Sequence, residues 1–298
     1  MNTQLERDLA YQQSVYYERK FQFEPLESEG GLSRFEIFRL FSGLHVETAD
    51  KIARQISRVT SNGRPVRITD IGAGDGEFQA HLVAALTEQG YQNPVEFIWI
   101  EPEEGFVRKL ETVAKKLPFP FTARIFKGTW DDYSANEPQD FVIAAHLHYY
   151  FAPQQYTVLF GNMLETVRPG GRLFVVGREK RGDDDHKFIE TFYERATGQP
   201  AREVFIDLLM NVFQVLRQAY TLRIEKRYAR ATITFPIPTA ESSAIRLVEF
   251  YLRRPWESLD SELQNDIRDY LQDRYYKLRE VDGIMIVTKL ADSVSEKS

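Results

Sequence analysis

The sequence predicts an α/β protein: a doubly wound, mostly parallel sheet of seven strands, preceded by a helical segment and interrupted late by a helical insertion. Three observations predict it. From residue 66 onward, short apolar runs alternate with helical stretches; apolar strands separated by helices make a parallel sheet covered on both faces. The first run ends in a loop of alternating glycines, Asp70-Ile71-Gly72-Ala73-Gly74-Asp75-Gly76, directly before a helix. The second run ends in a carboxylate, Glu101, followed by Pro102.

The elements follow in order. Residues 1–60 read as helical: Ser33-Arg34-Phe35-Glu36 fits a capping box, and Ile37, Leu40, Phe41 and Leu44 keep helical spacing after it. A second helix over 47–59 carries Ile52 and Ile56 on one face, and Ser61-Asn62-Gly63-Arg64-Pro65 ends it. Strands are expected at 66–71, 95–100, 122–126, 141–145, 173–176, 222–235 and 283–289. Helices are expected at 78–89, 103–116, 154–167, 186–197, 201–219, 241–253 and 260–274. The turn Arg168-Pro169-Gly170-Gly171 precedes the fifth strand. The piece at 237–280 is too long for a simple connection between strands and reads as a cap over a site. The expected layout is a helical lid over 1–60, a main domain over 61–290 and a flexible tail over 291–298.

Composition narrows the function classes. The chain has 298 residues, 44 acidic and 38 basic, for a net charge of −6, and 43% are hydrophobic. That balance suits a globular domain and disfavours a general nucleic-acid binder. With no cysteine, disulfides, thiolate metal sites and a cysteine nucleophile are excluded. No apolar run approaches the length of a membrane span, and the polar start MNTQLERDLAYQQ is unlike a signal peptide. A cytoplasmic protein is expected.

The glycine loop lies where open parallel sheets bind ligands, beyond the carboxyl ends of the strands. Glycines there let main chain turn tightly and approach a ligand. Glu101 can accept hydrogen bonds from both hydroxyls of a ribose. A dinucleotide fingerprint fails, because the sixth position from Gly72 is Glu77 and from Gly74 is Gln79. Glu77 at the helix start would repel a pyrophosphate. No phosphate-binding G-x-x-x-x-G-K-[ST] loop occurs. The loop suits a ligand that carries a cation, which Asp70 and Asp75 can pair with.

Asp70-x-Gly72-x-Gly74-x-Gly76 with Glu101 resembles the class I S-adenosylmethionine-dependent methyltransferases, over roughly residues 66–180. Phe126 to Asp131, Asp140 to Tyr150, the Arg168 turn and a final strand after a long insertion extend the likeness. The resemblance implies a Rossmann-like methyltransferase fold and S-adenosylmethionine as cofactor. It implies that Gly72, Ala73, Gly74 and Gly76 pass close to the methionine part, with Asp70 holding that region. Glu101, with Pro102 beside it, would bind the ribose, Thr129 and Trp130 would flank the adenine, and Ala145 and His146 would approach the methyl group. The aromatic N-terminal stretch, with Tyr16, Tyr17, Phe21, Phe23, Phe35, Phe38 and Phe41, would lie over the cofactor as a lid, and Arg34 or Arg39 would meet its carboxylate.

A sulfonium supplies its own activation, so the protein mainly positions the acceptor and excludes water. His146 is the candidate for contacting the acceptor, by proton transfer or hydrogen bonding; a histidine that only orients the cofactor or packs is the alternative. Tyr149 and Tyr150 are candidates to wall an amine acceptor, or else pack under a helix. His148 is expected to be structural. The run Arg178 to His186 holds three aspartates and an imidazole but reads as a solvated loop, so no metal is expected. Arg223, Lys226, Arg227 and Arg230 lie on one strand and do not share a face. Ala145-His146-Leu147-His148 stands where many nucleic-acid and glutamine methyltransferases carry Asn/Asp-Pro-Pro-Tyr/Phe, which points away from planar nitrogens. A small-molecule acceptor is expected, amine nitrogen favoured and hydroxyl or carbon open, with no nucleic acid and no membrane. Glu101-Pro102, Tyr149-Tyr150 and the insertion are loosely similar to histamine N-methyltransferase and related enzymes. An NAD-dependent oxidoreductase and a non-catalytic S-adenosylmethionine-binding protein are the alternatives. Oligomeric state is not legible.

Overall fold

Every residue of 140–144 is buried, and the apolar ones face both ways. A strand with that pattern needs helices on each side. In the computed structural model, which describes residues 42–59, 63–200, 205–235 and 240–291, it has them. The strands are β1 (Val66–Ile71), β2 (Val95–Glu101), β3 (Phe121–Lys127), β4 (Gln139–Ala145), β5 (Val167–Arg178), β6 (Leu222–Thr234) and β7 (Lys277–Lys289). Among the described residues they form one seven-stranded sheet in the order β3-β2-β1-β4-β5-β7-β6. β1 to β5 pair in parallel, and β7 runs antiparallel to both β5 and β6. The strand order reverses between β1 and β4, which makes the carboxyl edge at these two strands the crevice of the sheet.

Two cores flank the sheet. On one face lie α1 (Leu44–Ile56), α2 (Glu77–Glu88) and α3 (Glu104–Ala114). α1 presents Ala49, Ile52, Ala53 and Ile56 at helical spacing to a cluster that includes Phe141, Ile143, Phe174, Val176 and Ile284. On the other face, Tyr156 and Phe160 of α4 (Tyr156–Thr166) and Phe213 of α6 (Asp207–Leu216) meet Val142, Ala144, Leu173 and Val175. A third cluster joins Phe188 of α5 (Asp184–Thr197), Leu247 of α7 (Ala240–Leu252) and Ile267 of α8 (Ser261–Gln272).

Register decides where α7 and α8 sit. Arg178, the last residue of β5, pairs with Asp282, and Thr234 pairs with Lys277. β6 and β7 therefore run on past the carboxyl edge of β5, and α7 and α8 are connected at that end. The insertion emerges from the edge that carries the glycine loop.

Several expectations are corrected. The insertion is shorter than 237–280, because β7 starts at Lys277 rather than 283. Glu280 and Asp282 break the apolar run, yet both are buried, held by polar partners described below. β5 starts at Val167 rather than 173: Arg168 to Gly171 are a register shift inside the strand, between the pairs Gln139–Val167 and Phe141–Arg172. The run at 183–186 is not a solvated loop. Asp183 caps α5 by accepting the His186 N–H at 2.9 Å, and Asp184 accepts Arg279 Nε–H at 2.8 Å. Asp183, Asp184 and His186 are buried, because a helix N-terminus and a guanidinium replace their water. On β6, Arg223 and Arg227 pair with Glu225, while Lys226 pairs with Glu179 and Asp207 on the other side. The capping box, the aromatic N-terminal stretch, Arg34, Arg39 and residues 292–298 of the tail lie outside the described residues.

Candidate functional site

The loop after β1 is built from left-handed backbone. Gly72, Gly74 and Gly76 have φ of 71°, 63° and 89°, a region that L side chains enter only at a cost. The Gly72 and Ala73 N–H groups both donate to Ile100 O, at 2.9 and 3.0 Å, which ties the loop to β2. A Cβ on Gly76 would stand 2.9 Å from Val113 Cγ2, so this glycine lets α3 pack close. A Cβ on Gly72 would stand 3.1 Å from Leu147 Cδ1, while nothing among the described residues lies within 4 Å of one on Gly74. The loop thus rests on α3 and on the turn after β4, and bare main chain at Gly74 faces open space.

Two carboxyl groups sit beneath it. Glu101 accepts the Gly74 N–H at 2.8 Å with one oxygen and the Glu103 N–H at 3.0 Å with the other. Each oxygen keeps a lone pair for a further donor. Burial pushes the Glu101 carboxyl up, with Glu103 and Asp75 pushing the same way against the two backbone donors. Asp70 is fully buried and pushed up to about 7, by burial first, opposed by the Gln79 hydrogen bond and reinforced by the charge of Glu101. Gln79 Nε2 donates to Asp70 at 2.6 Å and to Ala73 O at 3.0 Å, joining α2 to the loop. Carboxyls raised by burial gain from an added cation, which favours their charged form. Glu77 in the first turn of α2 disfavours a phosphate at that helix end.

The turn after β4 supplies the imidazole. His146 has φ of 52°, and its N–H donates to Val176 O at 2.9 Å. Its Nε2 lies 3.1 Å from Oδ2 of Asp282 on β7. The His146 side chain is 32% exposed and that of Asp282 only 3%. Thr48 Oγ1 of α1 donates to the same Asp282 oxygen at 3.5 Å, and the His45 ring stands 6.3 Å from the His146 ring, edge to face. Burial alone would raise the Asp282 carboxyl, but His146 above all, then His45 and Arg178, hold it below the usual carboxylate range. Glu280, one step away on the same face of β7, accepts Ser42 Oγ–H at 2.7 Å.

The other expected residues fall as follows. Tyr149 packs its ring 5.8 Å from His146 and accepts the Arg178 N–H at 2.7 Å, whereas Tyr150 is exposed. His148 is fully buried, 4.0 Å from the Tyr149 ring, in space left by Gly177. Ala145 ends β4, Pro102 is exposed beside Glu101, and Thr129 donates its hydroxyl to Asp132 at 2.6 Å. Trp130 is buried in the core with Tyr133, their rings 5.9 Å apart. Sequence reasoning missed Gln79, His45, Glu280 and Asp282. A buried-face glutamine one turn into α2, and two carboxylates alternating ahead of an apolar strand, were the available signals.

By sequence, the chain matches no protein-family model and no curated protein. By structure it is similar to the plantazolicin methyltransferase BamL, solved with a triazolic desmethylPZN analogue and SAH (S-adenosylhomocysteine): TM-score 0.53, 12% identity, covering 96% of this chain and 100% of that one. The corresponding complex of the plantazolicin methyltransferase BpumL gives a TM-score of 0.50 at 13% identity, covering 96% and 98%. A presumptive methyltransferase of Bacillus halodurans C-125 gives 0.52 at 12%, covering 82% and 100%. The chain has the α/β Rossmann-like fold of the methyltransferases it is similar to.

Proposed function

We propose that this chain is an S-adenosylmethionine-dependent methyltransferase acting on a small-molecule acceptor. The observation that carries the reading is one sheet edge that gathers three left-handed glycines, two carboxyls of raised pKa and the His146 turn. The residues fit the cofactor: among the described residues nothing crowds Gly74, which leaves room for a ligand against main chain, and Glu101 has acceptor capacity left for a ribose diol. S-adenosylmethionine, when bound, supplies a methyl group on a positively charged sulfur.

The chain's own residues then position and screen. Gly72, Ala73, Gly74 and Gly76 hold the methionine part against backbone, and Asp70 offers it a counter-charge. Glu101 beside Pro102 takes the ribose hydroxyls, Thr129 and Trp130 the adenine. Ala145 and His146 face the reacting end, with Tyr149 and Tyr150 as walls. The helices α7 and α8, at the same edge, act as the cap, so that bulk water is excluded. An amine nitrogen is the favoured nucleophile, with hydroxyl or carbon open, in the manner of the histamine N-methyltransferase group; nucleic acid is not the partner. A cytoplasmic setting belongs to this reading; among the described residues, no helix is long and apolar enough to cross a membrane.

Calorimetry tests the reading. S-adenosylmethionine and S-adenosylhomocysteine are expected to bind, and Glu101→Ala to weaken binding by about 1.5–3 kcal/mol, the worth of a hydrogen bond to a charged group. Binding of NAD with no heat from either sulfur nucleoside would instead make this an oxidoreductase.

A further inference from the structure

We infer that His146 is the base that takes a proton from the methyl acceptor and that Asp282 positions it, so that the acceptor's nucleophile is a proton-bearing heteroatom, a hydroxyl or an ammonium. This rests on the cofactor reading above.

The geometry supplies the argument. Asp282 is buried and held ionised by the cations and imidazoles around it. An ionised carboxylate only accepts, so in the neutral imidazole Nε2 of His146 carries the proton at their 3.1 Å contact and Nδ1 keeps the lone pair. Oδ1 of Asp282 is buried and makes no hydrogen bond among the described residues, so this carboxylate leans on the imidazole for compensation. A left-handed backbone at a non-glycine residue is a strained arrangement that the surrounding structure has to impose. Leu147, the next residue, stands against Gly72, so the turn that carries His146 borders the loop assigned to the cofactor.

The groups facing His146 come from each packed element. β7 contributes Asp282, with Glu280 two residues away engaged by Ser42. α1 contributes His45 at 6.3 Å and Thr48 on Asp282. Its own turn contributes Tyr149 at 5.8 Å, whose hydroxyl oxygen accepts the Arg178 N–H, and β5 places the Arg178 charge near Asp282. The carboxylate is the one anion in contact with the ring among the described residues.

In the step, the acceptor's O–H or N⁺–H proton passes to Nδ1. The heteroatom's electron pair forms the bond to the methyl carbon, and the carbon–sulfur bond breaks with its pair going to sulfur. The imidazolium, stabilised by Asp282, then returns its proton to water. Asp282 keeps its charge throughout, as an orienting carboxylate does in catalytic triads.

Nitrogen-15 NMR of the full chain saturated with S-adenosylhomocysteine reads the tautomer directly. The Nε2–H form of His146 is expected in the wild type, and a mixture in Asp282→Asn. A dominant Nδ1–H form in the wild type overturns the inference without any variant. Turnover with a panel of phenols, alcohols and amines supplies the second reading. Asp282→Asn and His146→Gln are expected to lower kcat by about 10²-fold or more, with KM and S-adenosylhomocysteine affinity within about 3-fold. The site of the new methyl group, on oxygen or on nitrogen, distinguishes hydroxyl from ammonium. Transfer to carbon alone, or near wild-type kcat in both variants while S-adenosylhomocysteine still binds, overturns the base and leaves the cofactor reading standing. Failure of the wild type to bind either sulfur nucleoside overturns the cofactor reading itself.

Discussion

Cofactor binding is expected to expel a proton from Asp70. The folded protein holds this carboxyl fully buried, with its pKa pushed from 3.8 to about 7 by burial first. A ligand ammonium or sulfonium alongside favours the anion. Titrating the protein with S-adenosylhomocysteine then releases about 0.9 proton at pH 6, about half at pH 7 and about 0.1 at pH 8. Calorimetry in buffers of differing ionisation enthalpy reads the number as a slope. Glu101 is also raised, so Asp70→Asn isolates the Asp70 share: the slope at pH 6 should fall by most of a proton. An unchanged slope in Asp70→Asn, or proton uptake in the wild type, would refute the reasoning. The same shift acts on folding. A pKa raised in the folded state gives a contribution that is complete below the unfolded value and lost as pH rises through the folded one. The span between 3.8 and about 7 amounts to a loss on the order of 4 kcal/mol. In the unliganded protein, Asp70→Asn should therefore gain in Tm relative to the wild type between pH 5 and pH 8.

The glycine loop separates stability from binding. Gly76→Ala, with φ of 89° and Val113 Cγ2 at 2.9 Å, is expected to cost about 1–3 kcal/mol in urea unfolding. Gly74→Ala meets no neighbour among the described residues, so its stability cost is the left-handed strain of about 1–2 kcal/mol, while S-adenosylhomocysteine affinity should fall further than that; unchanged affinity would show that the ligand does not lie there. At the opposite edge, Asp140 accepts Arg64 at 2.8 Å, the Arg67 N–H at 2.9 Å and Arg168. Asp140→Ala should cost about 2–3 kcal/mol, below the full value for a buried pair because Arg64 is half exposed. Although burial opposes it, these donors hold the Asp140 carboxyl low, Arg64 foremost. Its contribution is present above the unfolded pKa and lost as pH falls through the folded one, so acid unfolding of Asp140→Asn should show a shallower loss below about pH 4.

Much of the site was legible before any coordinates. Alternating apolar runs placed all seven strands, and the Asp70–Gly76 loop with Glu101 marked the candidate site at the carboxyl edge, because strand period and turn chemistry are written within a few residues of each other. Strand ends were less legible. The charges of Glu280 and Asp282 read as the limit of an apolar strand, and only the arrival of Ser42 and His146 made them strand residues with buried side chains. The acid run at 183–186 misled in the same way, since its solvation is replaced by a helix N-terminus and by Arg279.

The sequence by itself determined the fold class, the glycine loop after β1 and the imidazole after β4, because each is a local pattern. The tertiary structure alone decided what that imidazole meets: Asp282 is 136 residues away in the chain. The two come together because β7 enters the sheet antiparallel beside β5 and places Asp282 opposite Arg178, and strand order and register are settled by packing across the whole sheet.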